Sequence, residues 1–62
     1  MWTVVYMAHN QADGQKIKEL LAKEGFLVKI RGIGKEEDRV YEVLVPNSEV
    51  EEAHDVLVDL GY

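Results

Sequence analysis

The sequence predicts an α+β fold of two layers in the order β-α-β-β-α, and three observations carry that prediction. Three short stretches have strand character through β-branched, aromatic or alternating apolar residues, apolar residues recur at helical spacing in two others, and turn-forming residues separate each stretch from the next. With 62 residues, the chain is expected to make one domain, residues 1–62, without room for a separate catalytic or regulatory domain.

The first stretch, WTVVYMA at 2–8, is rich in β-branched and aromatic residues and predicts a strand. HNQADG is a polar turn. Ile17, Leu20 and Leu21 then recur at helical spacing, with Lys16, Lys18, Glu19, Lys23 and Glu24 on the other faces, so a helix is expected over 11–24. Asn10 is the preferred N-cap and Asp13 the alternative, Glu19 and Lys23 form a favourable i, i+4 pair, and Gly25 suits a left-handed stop. FLVKIRG at 26–32 alternates Phe26, Val28 and Ile30 against Lys29 and Arg31, a strand with one buried face. GIGKEED is glycine-rich and charged, the tip of a hairpin. RVYEVLV at 39–45 is nearly continuous in apolar character, as a central strand requires, and Pro46 ends it because it has no N–H for the ladder. Ser48 and Glu51 have the spacing of a capping box. Val50, Ala53, Leu57 and Leu60 then form the apolar stripe of a second helix, which Gly61 stops.

A right-handed β-α-β crossover leaves a gap between its two strands, and the third strand fills it. The expected sheet is antiparallel about its centre, of order 1-3-2, with both helices on one face. This is the ferredoxin-like arrangement without its final edge strand. Strand one is then an open edge carrying Trp2, Val4, Val5, Tyr6 and Met7, and apolar edges invite pairing with another chain.

Composition narrows the function classes. A domain this small buries only about 60% of its unfolded surface, so an efficient core or self-association must supply stability. There is no cysteine, which removes disulfides and thiolate zinc sites and agrees with a cytoplasmic address. No basic segment precedes the first apolar run, and that run is too short for a signal sequence or a membrane span. Twelve acidic against seven basic residues give a net charge of −5, which disfavours nucleic acid as a partner. The expected protein is therefore cytoplasmic, with no nucleic acid and no membrane partner.

Taken together, VVYMA, IKELLAKEGF, LVKIRG, a short hairpin, YEVLVP and the acidic helix SEVEEAHDVL resemble a known pattern. It is that of the short bacterial proteins grouped as prokaryotic signal-transducing proteins, a domain of unknown function placed near PII-like nitrogen regulators. The resemblance covers nearly the whole chain and implies the ferredoxin-like fold and a regulatory role. PII proteins bind nucleotide and 2-oxoglutarate through long loops that this chain lacks, so those ligands are not carried over. Similar short proteins bear the label glutamate decarboxylase. Such an enzyme needs a lysine Schiff base to pyridoxal phosphate inside a sizeable pocket. Here Lys16, Lys18, Lys23, Lys29 and Lys35 all fall at surface-type positions, and the label does not fit. The sequence implies no cofactor and no enzyme.

Four groups of residues remain to be weighed. Glu51 and His54 have Glu-x-x-His spacing, but helix one supplies neither a second such motif nor an inward carboxylate, so a capped helix accounts for them. His9 and His54 are expected about two turns apart along the fold, which separates them as ligands. His9, Asn10, Gln11, Gly14, Gly32, Gly34, Lys35 and Arg39 gather at one end of the sheet, where a helix N-terminus and two cations would favour an anion or small metabolite. Finally, alternation leaves either Trp2, Val4 and Tyr6 or Thr3, Val5 and Met7 on the helix-free face, and phase alone does not decide. With the first set, the face would also hold Leu27, Lys29, Arg31, Val40, Glu42 and Leu44, a mixed surface suited to a protein partner or a homodimer. The expected function is a non-enzymatic regulatory or interaction module acting through strand one or this face. The alternative is a metabolite or anion sensor at the other site.

Overall fold

The computed structural model describes residues 1–62. Strands β1 (Trp2–Ala8), β2 (Lys29–Ile33) and β3 (Val40–Pro46) form one sheet of order β1-β3-β2, with both pairings antiparallel. Helices α1 (Gln11–Lys23) and α2 (Val50–Asp59) cover one face, which gives the expected α+β ferredoxin-like arrangement. No helix is long and apolar enough to cross a membrane.

The two helices end in the same way, and the cause is a pair of glycines. Gly25 and Gly61 have φ of 95° and 94°, a conformation that L side chains rarely adopt. Each lets the chain turn back so that Phe26 N–H donates to the Leu21 carbonyl and Tyr62 N–H to the Leu57 carbonyl. Gly25 N–H donates to Ala22 and Gly61 N–H to Val58, completing a Schellman stop at both ends. At its start, α1 is capped by Asn10, whose side chain accepts the Asp13 N–H at 2.8 Å.

Between sheet and helices lie Ile17, Leu21, Val43, Val45, Ala53 and Leu57, each at most 2% exposed. Val5, Tyr6, Phe26, Val28, Ile30, Val50 and Val56 close the rim of this core. Burying one such valine, leucine or isoleucine side chain stabilises the fold by about 1.5–3 kcal/mol. Helix α1 approaches the sheet closely at Gly14, where a Cβ would lie 3.3 Å from the Tyr41 Cβ. Even a methyl group there would require Tyr41 to give by a few tenths of an ångström.

Four local expectations change. The ladder of β2 starts at Lys29 rather than Phe26, because the helix stop ties Phe26 N–H back to Leu21. Phe26 and Val28 still pack on the core. The hairpin tip contains a 3-10 turn at Glu36–Asp38. No capping box forms at α2: a 3-10 turn over Asn47–Glu49 leads into the helix, and the cap position, Glu49, makes no side-chain bond there. The Glu49 carboxylate instead accepts the Leu27 N–H at 3.4 Å. Leu60, assigned to the buried stripe, is 51% exposed, because it follows the last turn of α2.

The largest correction concerns β1. A bulge between Val4 and Tyr6 shifts the register against β3. Val4 pairs with Leu44, whereas Tyr6 pairs with Val43 and packs on the core together with Val5. Tyr6 therefore belongs to the helix side, where its ring meets that of Tyr62 edge-on at 5.8 Å between centroids. Met7, opposite Glu42, replaces it on the helix-free side. Neither uninterrupted alternation describes the strand.

Candidate functional site

The register defines the helix-free face row by row. Trp2 stands opposite Pro46; Val4, Leu44 and Lys29 form the next row; Met7, Glu42 and Arg31 the third; Val40 and Ile33 the last. Of the residues expected there, Trp2, Val4, Arg31, Leu44, Lys29, Val40 and Glu42 lie on it. Leu27 precedes β2 and is 64% exposed. Pro46, Met7 and Ile33 are additions. Met7 is concealed in the sequence by the bulge and Ile33 by its place between two glycines.

Two cations from β2 reach across this face. Arg31 donates from Nε and Nη2 to one oxygen of Glu42, at 2.9 and 2.6 Å. Lys29 places Nζ 4.6 Å from the centre of the Trp2 ring, although β3 lies between their strands. Its aliphatic stem thus spans the central strand. That crossing, with Val4 and Trp2 alongside, explains why Leu44 is only 3% exposed on a face no helix covers. The result is a thin second layer of apolar stems and paired charges. Trp2 and Met7 remain 41% and 48% exposed at its β1 border.

Beside this face runs the free edge of β1. It pairs with β3 on one side only. No residue from Trp2 to Ala8 is charged. On its β3 side the pairing extends past the strand ends, where Asn47 N–H donates to the Met1 carbonyl and the Thr3 hydroxyl to the Asn47 side chain.

The other candidate end is assembled differently from its expectation. Ala8 and Gly32 both stand opposite Tyr41, so the ends of β1 and β2 and the start of α1 do come together. His9, Asn10, Gln11, Gly34, Lys35 and Arg39 are all exposed there. Asn10, however, is committed: besides accepting the Asp13 N–H, it donates from Nδ2 to the Asp13 carboxylate at 3.1 Å. Gly14 is buried under Tyr41 and offers no free approach to a ligand. A Cβ on Gly32 would lie 3.1 Å from the Arg39 Cδ, so the Arg39 stem rests on that glycine. Gly34 takes φ of 94° to enter the 3-10 turn whose residues are Glu36, Glu37 and Asp38. Lys35 and Arg39 thus flank three carboxylates, with Asp13 a fourth at the helix start. That charge balance opposes an anion.

His9, His54 and Glu51 are exposed. No three His, Cys, Asp or Glu side chains gather closely enough to hold a metal ion, and no pocket opens in the surface. Comparison of the chain with protein-family models, with curated proteins and with solved structures gives no match.

Proposed function

We propose that the chain is a small non-enzymatic interaction module that binds protein through the β1 edge and the helix-free face bordering it. One observation carries the reading. Seven consecutive residues of strand, without a charge or a proline, present an unpaired edge between exposed Trp2 and Met7 on one face and Tyr6 and Tyr62 on the other. An added strand gains main-chain hydrogen bonds from such an edge, and the side chains on either face supply selectivity. A regulatory role, as the resemblance to short bacterial signal-transducing proteins implies, and a cytoplasmic address, with which the lack of cysteine agrees, belong to the same proposal.

Capture from native lysate compares the wild type with Val4→Lys and Arg39→Glu. Proteins retained by the wild type and by Arg39→Glu, and lost by Val4→Lys with an unchanged circular dichroism spectrum, support the reading. Loss with Arg39→Glu alone would transfer function to the opposite end of the sheet.

A further inference from the structure

Resting on that reading, we infer that the occupant of the β1 edge is a second copy of this chain, paired β1 to β1 about a two-fold axis at Val4. Three features of the edge lead there. The first is topological. Helix α2 lies against β1 as well as β3, and a right-handed crossover from β3 through α2 would place a further strand beside β1, antiparallel to it. The direction required of that strand is the direction in which a two-fold axis presents β1 of another copy. Each molecule's first strand then fills the vacant lane of the other, and two three-stranded sheets become one of six.

The second feature is charge. Symmetric pairing brings a strand against itself, so any charged residue near the axis meets its own kind. β1 carries none, whereas β2, the other edge, carries Lys29 and Arg31. Self-pairing is therefore free of like-charge opposition at β1 and burdened by it at β2.

The third is register. Trp2, Val4 and Met7 point to the helix-free side, and Thr3, Val5, Tyr6 and Ala8 to the helix side, with Val5 and Tyr6 sharing one ladder position at the bulge. Opposed residues must share a face. Centring the axis on Val4 meets that condition along the strand: Val4 opposes Val4, Trp2 opposes Met7, and Thr3 opposes the Val5–Tyr6 bulge. The exposed Trp2 and Met7 borders of both copies then merge into one apolar strip. On the helix side Tyr62, 42% exposed over Tyr6, closes the seam.

Because the chain has no cysteine, a single introduced thiol reports the register. Directly opposed residues of antiparallel strands have Cα atoms about 4.5–5.5 Å apart, within the span of a disulfide. Val4→Cys and Ile33→Cys are oxidised side by side at equal concentration, and the wild type is sedimented from about 1 μM to about 1 mM. Expected are a rise in wild-type mass to that of two chains, a covalent dimer for Val4→Cys, and a predominantly monomeric Ile33→Cys. A wild type that stays at single-chain mass overturns self-pairing, while the interaction reading still stands or falls on the capture experiment. A wild-type dimer in which Ile33→Cys cross-links and Val4→Cys does not overturns the assignment to β1.

Discussion

The two edges of the sheet differ in nearly every property that governs strand pairing. β1 offers seven residues, all uncharged and three of them β-branched; β2 offers five, among them Lys29, Arg31 and a glycine. The cations of β2 are also put to use inward. Arg31 clasps Glu42 on the central strand, and Lys29 reaches over that strand to Trp2. One edge is thus blunted by side chains that simultaneously roof the helix-free face, and the other is left plain. A sheet of three strands does not have two equivalent edges. Protection is written locally, residue by residue, and where it is missing a partner is the economical explanation.

The sharpest way to break this contrast is to give β1 the charge that β2 already has. Val4→Lys sets two ammonium groups against each other at the proposed axis. The dissociation constant of the dimer should rise at least tenfold, a loss of about 1.4 kcal/mol or more. Ile33→Lys, on the same face of the opposite edge, should leave it unchanged. Sedimentation of both variants checks the pair. Equal weakening by the two substitutions would mean that the edges are not functionally distinct.

Much of this architecture is legible in the sequence, and the phase of β1 is not. The element order, the sheet order and the helix stops follow from short-range rules: alternation, helical spacing, and glycine four residues after Leu21 and after Leu57, each followed by an aromatic. Asn10 likewise acts within three residues of itself. The bulge has no such local sign. Val4, Val5 and Tyr6 are all good strand residues, and only their pairing with Val43 and Leu44, some forty positions away, shows that one residue is extra. That slip is why Tyr6 is placed wrongly from sequence and Met7 left to the alternative phase. The capping box fails for a related reason. Ser48 and Glu51 have the right spacing, but Thr3 holds Asn47 and Leu27 N–H engages Glu49, so tertiary bonds draw the segment into a 3-10 turn. At the opposite end, residue types bring a helix start and two cations together with three acids, and the geometry adds that Asn10 is bonded to Asp13 and that Gly14 is closed by Tyr41.

A smaller effect sharpens the contrast from the β2 side. Lys29→Ala removes the ammonium from Trp2 and the stem from above Leu44, and should lower monomer stability by about 0.5–1 kcal/mol. Arg31→Ala removes an ion pair whose arginine is 58% exposed, and should cost about 0.2–1 kcal/mol. Urea unfolding measures both. Trp2 is the only tryptophan, so Lys29→Ala should also move its fluorescence while Arg31→Ala leaves it nearly in place. A Trp2 signal indifferent to Lys29 would show that the roof over Leu44 is held by something other than this crossing.

A further effect separates the edges by sign rather than size. Each chain carries a net charge of −5, so pairing two copies sets like charge against like. Raising ionic strength from about 0.05 M to about 0.5 M shortens the screening length severalfold and should tighten the β1 dimer by about threefold. The same salt weakens the Arg31–Glu42 pair and the Lys29–Trp2 contact, which are attractions whose cations lie in solvent. Association should therefore tighten, followed by sedimentation, while the difference in urea midpoint between the wild type and Arg31→Ala, from which the shared net-charge effect cancels, should shrink in the same titration. An association that weakens with salt would point to charged groups at the dimer seam, and β1 has none to offer.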